Sequence, residues 1–262
     1  MKSMPFFMAV FVSVFFAGPL KADLPSAIVK VKPSVLLVGI YKRTDSPRFS
    51  LRGTGFVVAH GNLGSSNLAI TNAHVLQPPG KEDVEAALVV HVKVGDNEWQ
   101  VRQATVLEVD KRHDLALLRF DGPAAPALRL GDSGAVREGQ AIAFMGFPIG
   151  GALGFSPVTH RAMVSSIVAA ALPSPSGQRL NEKAILSLRD GASFDIFQLD
   201  GTAYPGNSGG PAFDPDTGAV LGVVNMVFIK GTRESALTHP SGISYAIPAN
   251  HILPLLQRRQ NN

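Results

Sequence analysis

The 262-residue chain contains no cysteine. That absence excludes disulfides, thiol nucleophiles and cysteine-held metals, and leaves packing to stabilise the fold. Charge is sparse as well. Charged residues make up 17% of the chain, the net charge is +4, and the bases are scattered with no basic block. Neither a nucleic acid nor a lipid surface is therefore an expected partner. No pair of histidines has the helical spacing of a metal site, which disfavours a metal hydrolase. No cofactor and no metal is expected.

Only the N-terminus carries a long apolar run. Lys2 is followed by Met4 to Phe16, and Ala17-Gly18-Pro19 ends the run. This is the pattern of a secretory signal peptide over residues 1–22, with Ala22 before a cut ahead of Asp23. The alternative is an uncleaved anchor, but the run is shorter than the ~20 residues a spanning helix needs. Losing Lys2 and Lys21 would bring the charge to 4 − 2 = +2. The expected location is exported, periplasmic or secreted, with no stable membrane association after cleavage.

What is abundant is glycine (26) and proline (19), in a chain that is 45% hydrophobic. This suits many short strands joined by turns. Leu24 to Lys32 reads as a short helix ended by Pro33. Strands are expected at 34–41, 53–60, 68–71, 86–94, 99–109, 115–120, 140–145, 158–171, 184–188, 195–199, 219–228 and 243–247. A polar loop is expected at 43–52, a linker at 121–126, and a terminal helix at 251–258 with Asn250 as its cap. Turn-punctuated strands on both sides of a mid-chain linker fit an all-β fold of two packed barrels, or one large sandwich.

Three stretches carry chemistry. Tyr204-Pro205-Gly206-Asn207-Ser208-Gly209-Gly210-Pro211 sets one serine among three glycines, a turn able to present a hydroxyl and bare N–H groups. Clusters of this kind usually mark ordinary loops, so a base and an acid are needed upstream. Of the seven histidines (60, 74, 91, 113, 160, 239, 251), His74 follows a buried strand in Thr71-Asn72-Ala73-His74-Val75. His113 reads as part of an exposed loop, and the others as loop or exposed-strand residues. Asp114 directly precedes the apolar run Leu115-Ala116-Leu117-Leu118. A carboxylate there will be partly buried and needs a partner. It is either a strand-end cap or the group that orients an imidazole. The order is His74, Asp114, Ser208, with gaps of 114 − 74 = 40 and 208 − 114 = 94 residues.

These stretches together resemble the HtrA (Deg-type) branch of the chymotrypsin-fold serine proteases. The likeness extends to Gly53-Thr54-Gly55-Phe56, Leu130-Gly131-Asp132-Ser133, Gly146-Phe147-Pro148-Ile149-Gly150 and Gly242-Ile243-Ser244-Tyr245-Ala246-Ile247-Pro248, and covers most of residues 24 to 257. It implies two packed six-stranded β-barrels with a short C-terminal helix: an N-terminal barrel in 23–130 carrying His74 and Asp114, and a C-terminal barrel in 131–262 carrying Ser208. It implies a serine endopeptidase with a His74-Asp114-Ser208 triad, an oxyanion hole from the Gly206 and Ser208 N–H groups, and unfolded or damaged polypeptides as substrates. By the same likeness Thr202, followed by Ala203, forms the floor of the primary pocket, and Val224, Asn225 and Met226 its wall. With no carboxylate at that floor, cleavage after small or medium apolar residues is expected rather than after Lys or Arg. Asp200 lies two residues too early to act as a selector.

Two departures from that branch are visible. Its members usually carry a PDZ domain, whereas this sequence stops soon after Pro248, so PDZ-driven peptide sensing is not expected. Gly150 to Gly154 and the segment 172–195 also differ from the branch's regulatory loops. The rival readings are a loop-regulated or largely inactive protease-fold protein acting as a binding or chaperone module, and a serine esterase. The esterase is opposed by the His-Asp-Ser order and the β-rich pattern, because an α/β-hydrolase puts its serine first.

Overall fold

The computed structural model describes residues 23–59, 61, 64–76, 86–96, 98–151, 154–170, 193–225 and 242–258. The expected signal peptide, the strand at 184–188, most of the segment 172–195, and Met226 lie outside the described residues. Among those described, no helix is long and apolar enough to cross a membrane.

Asp23 caps helix α1 (Leu24–Val31), its carboxylate accepting the Ser26 N–H, with proline in the first turn. Ala27 and Val31 are buried. Proline cannot continue an α-helix, and Lys32–Ser34 tightens into a 3₁₀ turn that feeds the first strand. The strands that follow are β1 (Val35–Tyr41), β2 (Phe49–Val57), β3 (Ser65–Ser66), β4 (Leu68–Asn72), β5 (Ala87–Lys93), β6 (Trp99–Asp110), β7 (Leu115–Phe120) and β8 (Ala125–Pro126). Then come β9 (Ala141–Gly146), β10 (Val158–Ala170), β11 (Phe194–Leu199), β12 (Pro211–Phe213), β13 (Val220–Asn225), β14 (Ser244–Pro248) and helix α2 (Leu253–Arg258).

Twelve of these strands close into two antiparallel barrels, in the orders β1-β2-β4-β7-β6-β5 and β10-β11-β14-β13-β12-β9. The expected pair of six-stranded barrels with a terminal helix is thus the architecture found, and the sandwich is not. The alternation of side chains along each strand explains the packing. On β1, Leu36 and Val38 point into the first barrel, alongside Val57, Ala69, Leu118 and Phe120. Leu37, one residue out of step, joins Phe56, Ile70 and Leu117 in a cluster that also contains Met145, Phe213, Val223 and Ile247 of the second barrel. Both faces of these strands are buried, so they read as continuous apolar runs. The shared cluster also takes in Val31 of α1 and Leu255 and Leu256 of α2, so the helices close the seam between barrels. Truncating Leu117 to Ala in that seam should cost about 2–5 kcal/mol.

Three local expectations are corrected. Residues 43–52 are not one loop: β2 begins at Phe49, which pairs with Tyr41 and whose ring lies 4.0 Å from that of His91. The linker at 121–126 contains β8, which pairs with β3. Asn250 does not cap the last helix. Residues Ala249–Ile252 form a 3₁₀ turn ahead of it, and the Asn250 N–H donates to Ser133 Oγ at 2.9 Å, tying the C-terminus to the inter-barrel segment.

Candidate active site

β4 is buried along its whole length and delivers the chain into a 3₁₀ turn, Ala73–Leu76, that carries His74. On the next strand of the barrel, Asp114 ends the turn before β7 with φ of +51°, a left-handed conformation that aspartate tolerates better than most residues. The strain is held by contacts. The Asp114 carbonyl accepts from the Ala73 N–H and from Asn72 Nδ2, each at 3.0 Å. Its carboxylate is buried and satisfied on both oxygens: Oδ1 accepts the His74 N–H at 2.8 Å, while Oδ2 lies 2.5 Å from His74 Nδ1 and 2.7 Å from Asn225 Nδ2. A carboxylate only accepts, so a neutral imidazole in this place would carry its proton on Nδ1 and keep the Nε2 lone pair available.

The serine turn follows from its glycines. Gly206 has φ of +106°, and a Cβ there would sit 2.1 Å from the Phe147 carbonyl oxygen. Gly209 has φ of +85°, and its Cβ would sit 2.1 Å from the Thr54 carbonyl oxygen. Thr54, fully buried on β2 of the first barrel, staples the turn. Its hydroxyl donates to the Gly206 carbonyl at 2.6 Å and accepts the Phe147 N–H at 3.0 Å, and its own N–H donates to the Ser208 carbonyl at 2.8 Å. A Cβ on the neighbouring Gly53 would meet both Val75 and the Ser208 carbonyl, so the turn that holds His74 and the turn that holds Ser208 converge on this glycine.

Among the described residues the Gly206 and Ser208 N–H groups have no hydrogen-bond acceptor, and the Ser208 hydroxyl has no partner. Beside them Asn207 is fully buried with neither side-chain polar atom paired. Ile149, a β-branched residue at φ of +59°, donates its N–H to the Pro205 carbonyl at 2.7 Å. The turn is therefore braced from the first barrel by Thr54 and from its own barrel by Phe147 and Ile149. Bare N–H groups on a braced turn can stabilise a developing oxyanion.

Other expected residues are placed as follows. Thr202 is half-buried, and Ala203 is buried with its N–H donating to Ser244 Oγ at 2.7 Å. The Ser244 hydroxyl also donates to the Gly201 carbonyl and so pins the segment around Thr202 from β14. Val224 is enclosed in the core of the second barrel. Asn225 is enclosed too, and its amide turns to Asp114 rather than lining a cleft. Asp200 accepts the Met163 N–H from β10.

Sequence reasoning missed Thr54, Ser244 and the role of Asn225. A lone amide inside the apolar run of β13 was the available signal, since a buried amide needs a partner.

Several histidines expected to be exposed are not, while His60 and His239 lie outside the described residues. His91 is buried against Phe49, and burial pushes its imidazole below the ordinary value, as it does that of His160. His113 is half-buried, with its Nδ1 2.7 Å from Asp110 Oδ2, and its ring stacks at 3.9 Å on that of His251. Burial raises Asp110, but hydrogen bonds from His113 and Arg112 outweigh it and hold the carboxyl below its usual range. Burial, then the neighbouring His113, depress His251 to about 4. Among the described residues no three His, Asp or Glu side chains could share a metal ion.

Residues 53–223, which contain His74, Asp114 and Ser208, match the trypsin-like peptidase domain. A probable periplasmic serine endoprotease, DegP-like, of Marinomonas sp. (strain MWYL1) is 28% identical over 80% of this chain and 36% of its own length. Serine protease HTR4 of Bos taurus is 30% identical over 89% of this chain and 40% of its own. The chain thus spans less than half the length of these curated relatives. In structure it is similar to the HtrA-type protease AlgW solved with a tripeptide, with a TM-score of 0.60 at 22% identity, over 90% of this chain and 62% of that one.

Proposed function

The chain belongs to the trypsin-like peptidase domain family, among the HtrA-type serine endopeptidases, and from that premise we propose that it cleaves polypeptides through His74, Asp114 and Ser208. The carrying observation is the Asp114 carboxylate, which takes both the backbone N–H and the imidazole Nδ1 of His74. With Nδ1 protonated, Nε2 removes the Ser208 proton as Oγ attacks the peptide carbonyl, and the imidazolium is stabilised by Asp114. The carbonyl π electrons move onto oxygen, where the Gly206 and Ser208 N–H groups receive the charge. The proton then passes from Nε2 to the leaving amine, leaving an acyl-enzyme on Ser208. Water, deprotonated by the same nitrogen, releases the acid and restores the serine.

The substrates proposed are unfolded or damaged chains, cut after small or medium apolar residues. Thr202 and Ala203 offer no carboxylate at the pocket floor, and Asp200 is engaged with β10. Export is proposed from residues 1–22, in keeping with the periplasmic name of the DegP-like relative.

One observation favours a second reading, a loop-regulated site: the Ser208 hydroxyl lacks a partner among the described residues. In that reading the serine and the imidazole engage only when substrate or another ligand orders the turn.

The test is labelling by a fluorophosphonate together with cleavage of unfolded casein, for the wild type and Ser208→Ala. Wild type should label and cleave, and Ser208→Ala should lose turnover on the order of 10⁶-fold. Equal cleavage by both would refute the triad. Labelling that appears only after a peptide is added would select the loop-regulated form.

A further inference from the structure

The far end of the first barrel holds a charge that catalysis does not use. Arg102 lies on β6 in register with Val90 of β5, and with Ala104 it forms the inward face of a strand whose residues 101, 103 and 105 are exposed. The residue is 8% exposed. Its partners among the described residues are all neutral. Nε donates to Gln100 Oε1 at 3.0 Å, Nη1 donates to the Pro123 carbonyl, and Cζ stands 5.7 Å from the centre of the Phe120 ring. Gly122 borders the guanidinium, and a Cβ there would lie 3.5 Å from Nε. Among the described residues no carboxylate pairs with it.

A buried cation without a counter-charge costs several kcal/mol. A guanidinium has five N–H donors in a planar fork, matched to a carboxylate. Here, among the described residues, Nη2 makes no bond to protein. The side chain borders a cavity of about 750 Å³ in the mouth of the barrel. Its walls are short and apolar: Pro33, Val92, Val94, Pro123, Ala125 and Pro126. Lys93 and Asp96 add one charge of each sign at the rim, so Arg102 leaves the site with a net positive charge. Ligand sites commonly take this form, largely apolar walls with a small number of placed polar groups, here Arg102 with Gln100, Lys93 and Asp96.

We propose that this cavity binds a carboxylate carried on a short apolar group, with the anion on the Arg102 fork and the apolar part between the valines and prolines. The site is distinct from the serine turn and does not depend on its chemistry. Two sources share this ligand chemistry: the C-terminus of a polypeptide and a free short-chain acid.

The experiment measures binding to the Ser208→Ala chain by calorimetry, with amide chemical shifts to locate it. The probes are N-acetyl-alanyl-valine as the free acid, the same dipeptide as its amide, and isobutyrate. The free acid should bind and shift amides at 92–96 and 122–126, and the dipeptide amide should not. Binding of isobutyrate as well would place recognition in the carboxylate and its branched carbon alone. Silence from isobutyrate would assign the site to peptide C-termini. Arg102→Gln should weaken acid binding by about tenfold or more, the scale of a charged hydrogen bond. Ala124→Trp, at an exposed residue of the rim, should block the cavity while leaving the guanidinium in place, and keeps the test decisive if Arg102→Gln fails to fold. Equal binding of acid and amide, or acid binding unchanged in both variants, would overturn the proposal. Arg102 would then be a plug for the barrel end.

Discussion

Asn225 Nδ2 donates to Asp114 Oδ2 at 2.7 Å across 111 residues of sequence, from the last residue of β13 in one barrel to the turn before β7 in the other. The same carboxylate oxygen faces His74 Nδ1. The amide therefore helps fix the direction of the carboxylate and, through it, the imidazole. Asn225→Leu keeps the volume and removes the donor. It should lower kcat by about 10- to 100-fold with little change in KM, as expected for losing a hydrogen bond to a charged group. Asn225→Asp should be worse, because it sets a second carboxylate against the first. Steady-state kinetics on a peptide substrate decide it, and an unaltered kcat in Asn225→Leu would remove Asn225 from any positioning role.

Thr54 makes a different prediction, because its loss strands two buried groups. Thr54→Val preserves shape but leaves the Gly206 carbonyl and the Phe147 N–H unpaired. Urea unfolding should show a loss of about 1–3 kcal/mol, with a matching drop in activity. Thr54→Ser, which retains the hydroxyl, should recover most of both. If valine and serine behave alike, the hydroxyl is not what braces the turn.

Gly206→Ala separates backbone strain from catalysis. The new Cβ meets both a positive φ and the Phe147 carbonyl oxygen, so the turn must move and misdirect its N–H. A fall of about 10²–10³-fold in kcat is expected, the scale of losing an oxyanion donor. Gly139 also has positive φ, +84°, but open space around its Cβ position. Gly139→Ala should cost about 1–2 kcal/mol in stability and leave kcat alone. Equal kinetic damage in the two variants would mean general destabilisation.

The stacked imidazoles give a pH dependence. His251 holds its proton only below about 4 in the folded chain, against an ordinary value of 6.5. Between those values the unfolded chain binds a proton that the folded chain does not. This contribution to stability is therefore complete above the ordinary value and is lost as pH falls toward 4. His91 and His160 act in the same direction. His251→Phe keeps a ring against His113 and removes one titration. Urea midpoints measured at about pH 7.5 and pH 4.5 should differ less in this variant than in the wild type. An identical difference would show that His251 is not a source of the acid sensitivity.

Much of this was legible before the structure. The barrel strands announce themselves because they are buried on both faces, as in Leu115–Phe120. Asp114 was legible because a carboxylate at the head of such a run must find a partner. The serine turn was legible because its backbone needs glycine. What the chain concealed depends on contacts between distant segments. Thr54 is one threonine between two glycines until a turn 152 residues away arrives at its hydroxyl. His113 sits among charged residues, and nothing local reveals that the ring of His251 covers it. Phe49 is lost in a polar stretch because its burial comes from His91 on another strand. Asn225 was placed in the pocket wall by the likeness, and nothing local reveals that its Nδ2 reaches Asp114 in the other barrel.

Hydrogen bonds from Thr54 to Gly206 and from Asn225 to Asp114 join the barrels at the proposed catalytic centre. Folded alone, the first barrel would lack both the serine turn and Asn225. In the proposed mechanism that half has an imidazole and a carboxylate but nothing to attack with. The second half, folded alone, would have a hydroxyl with no base and a turn with no brace. In that mechanism peptide cleavage is a property of the docked pair, and neither barrel carries it by itself.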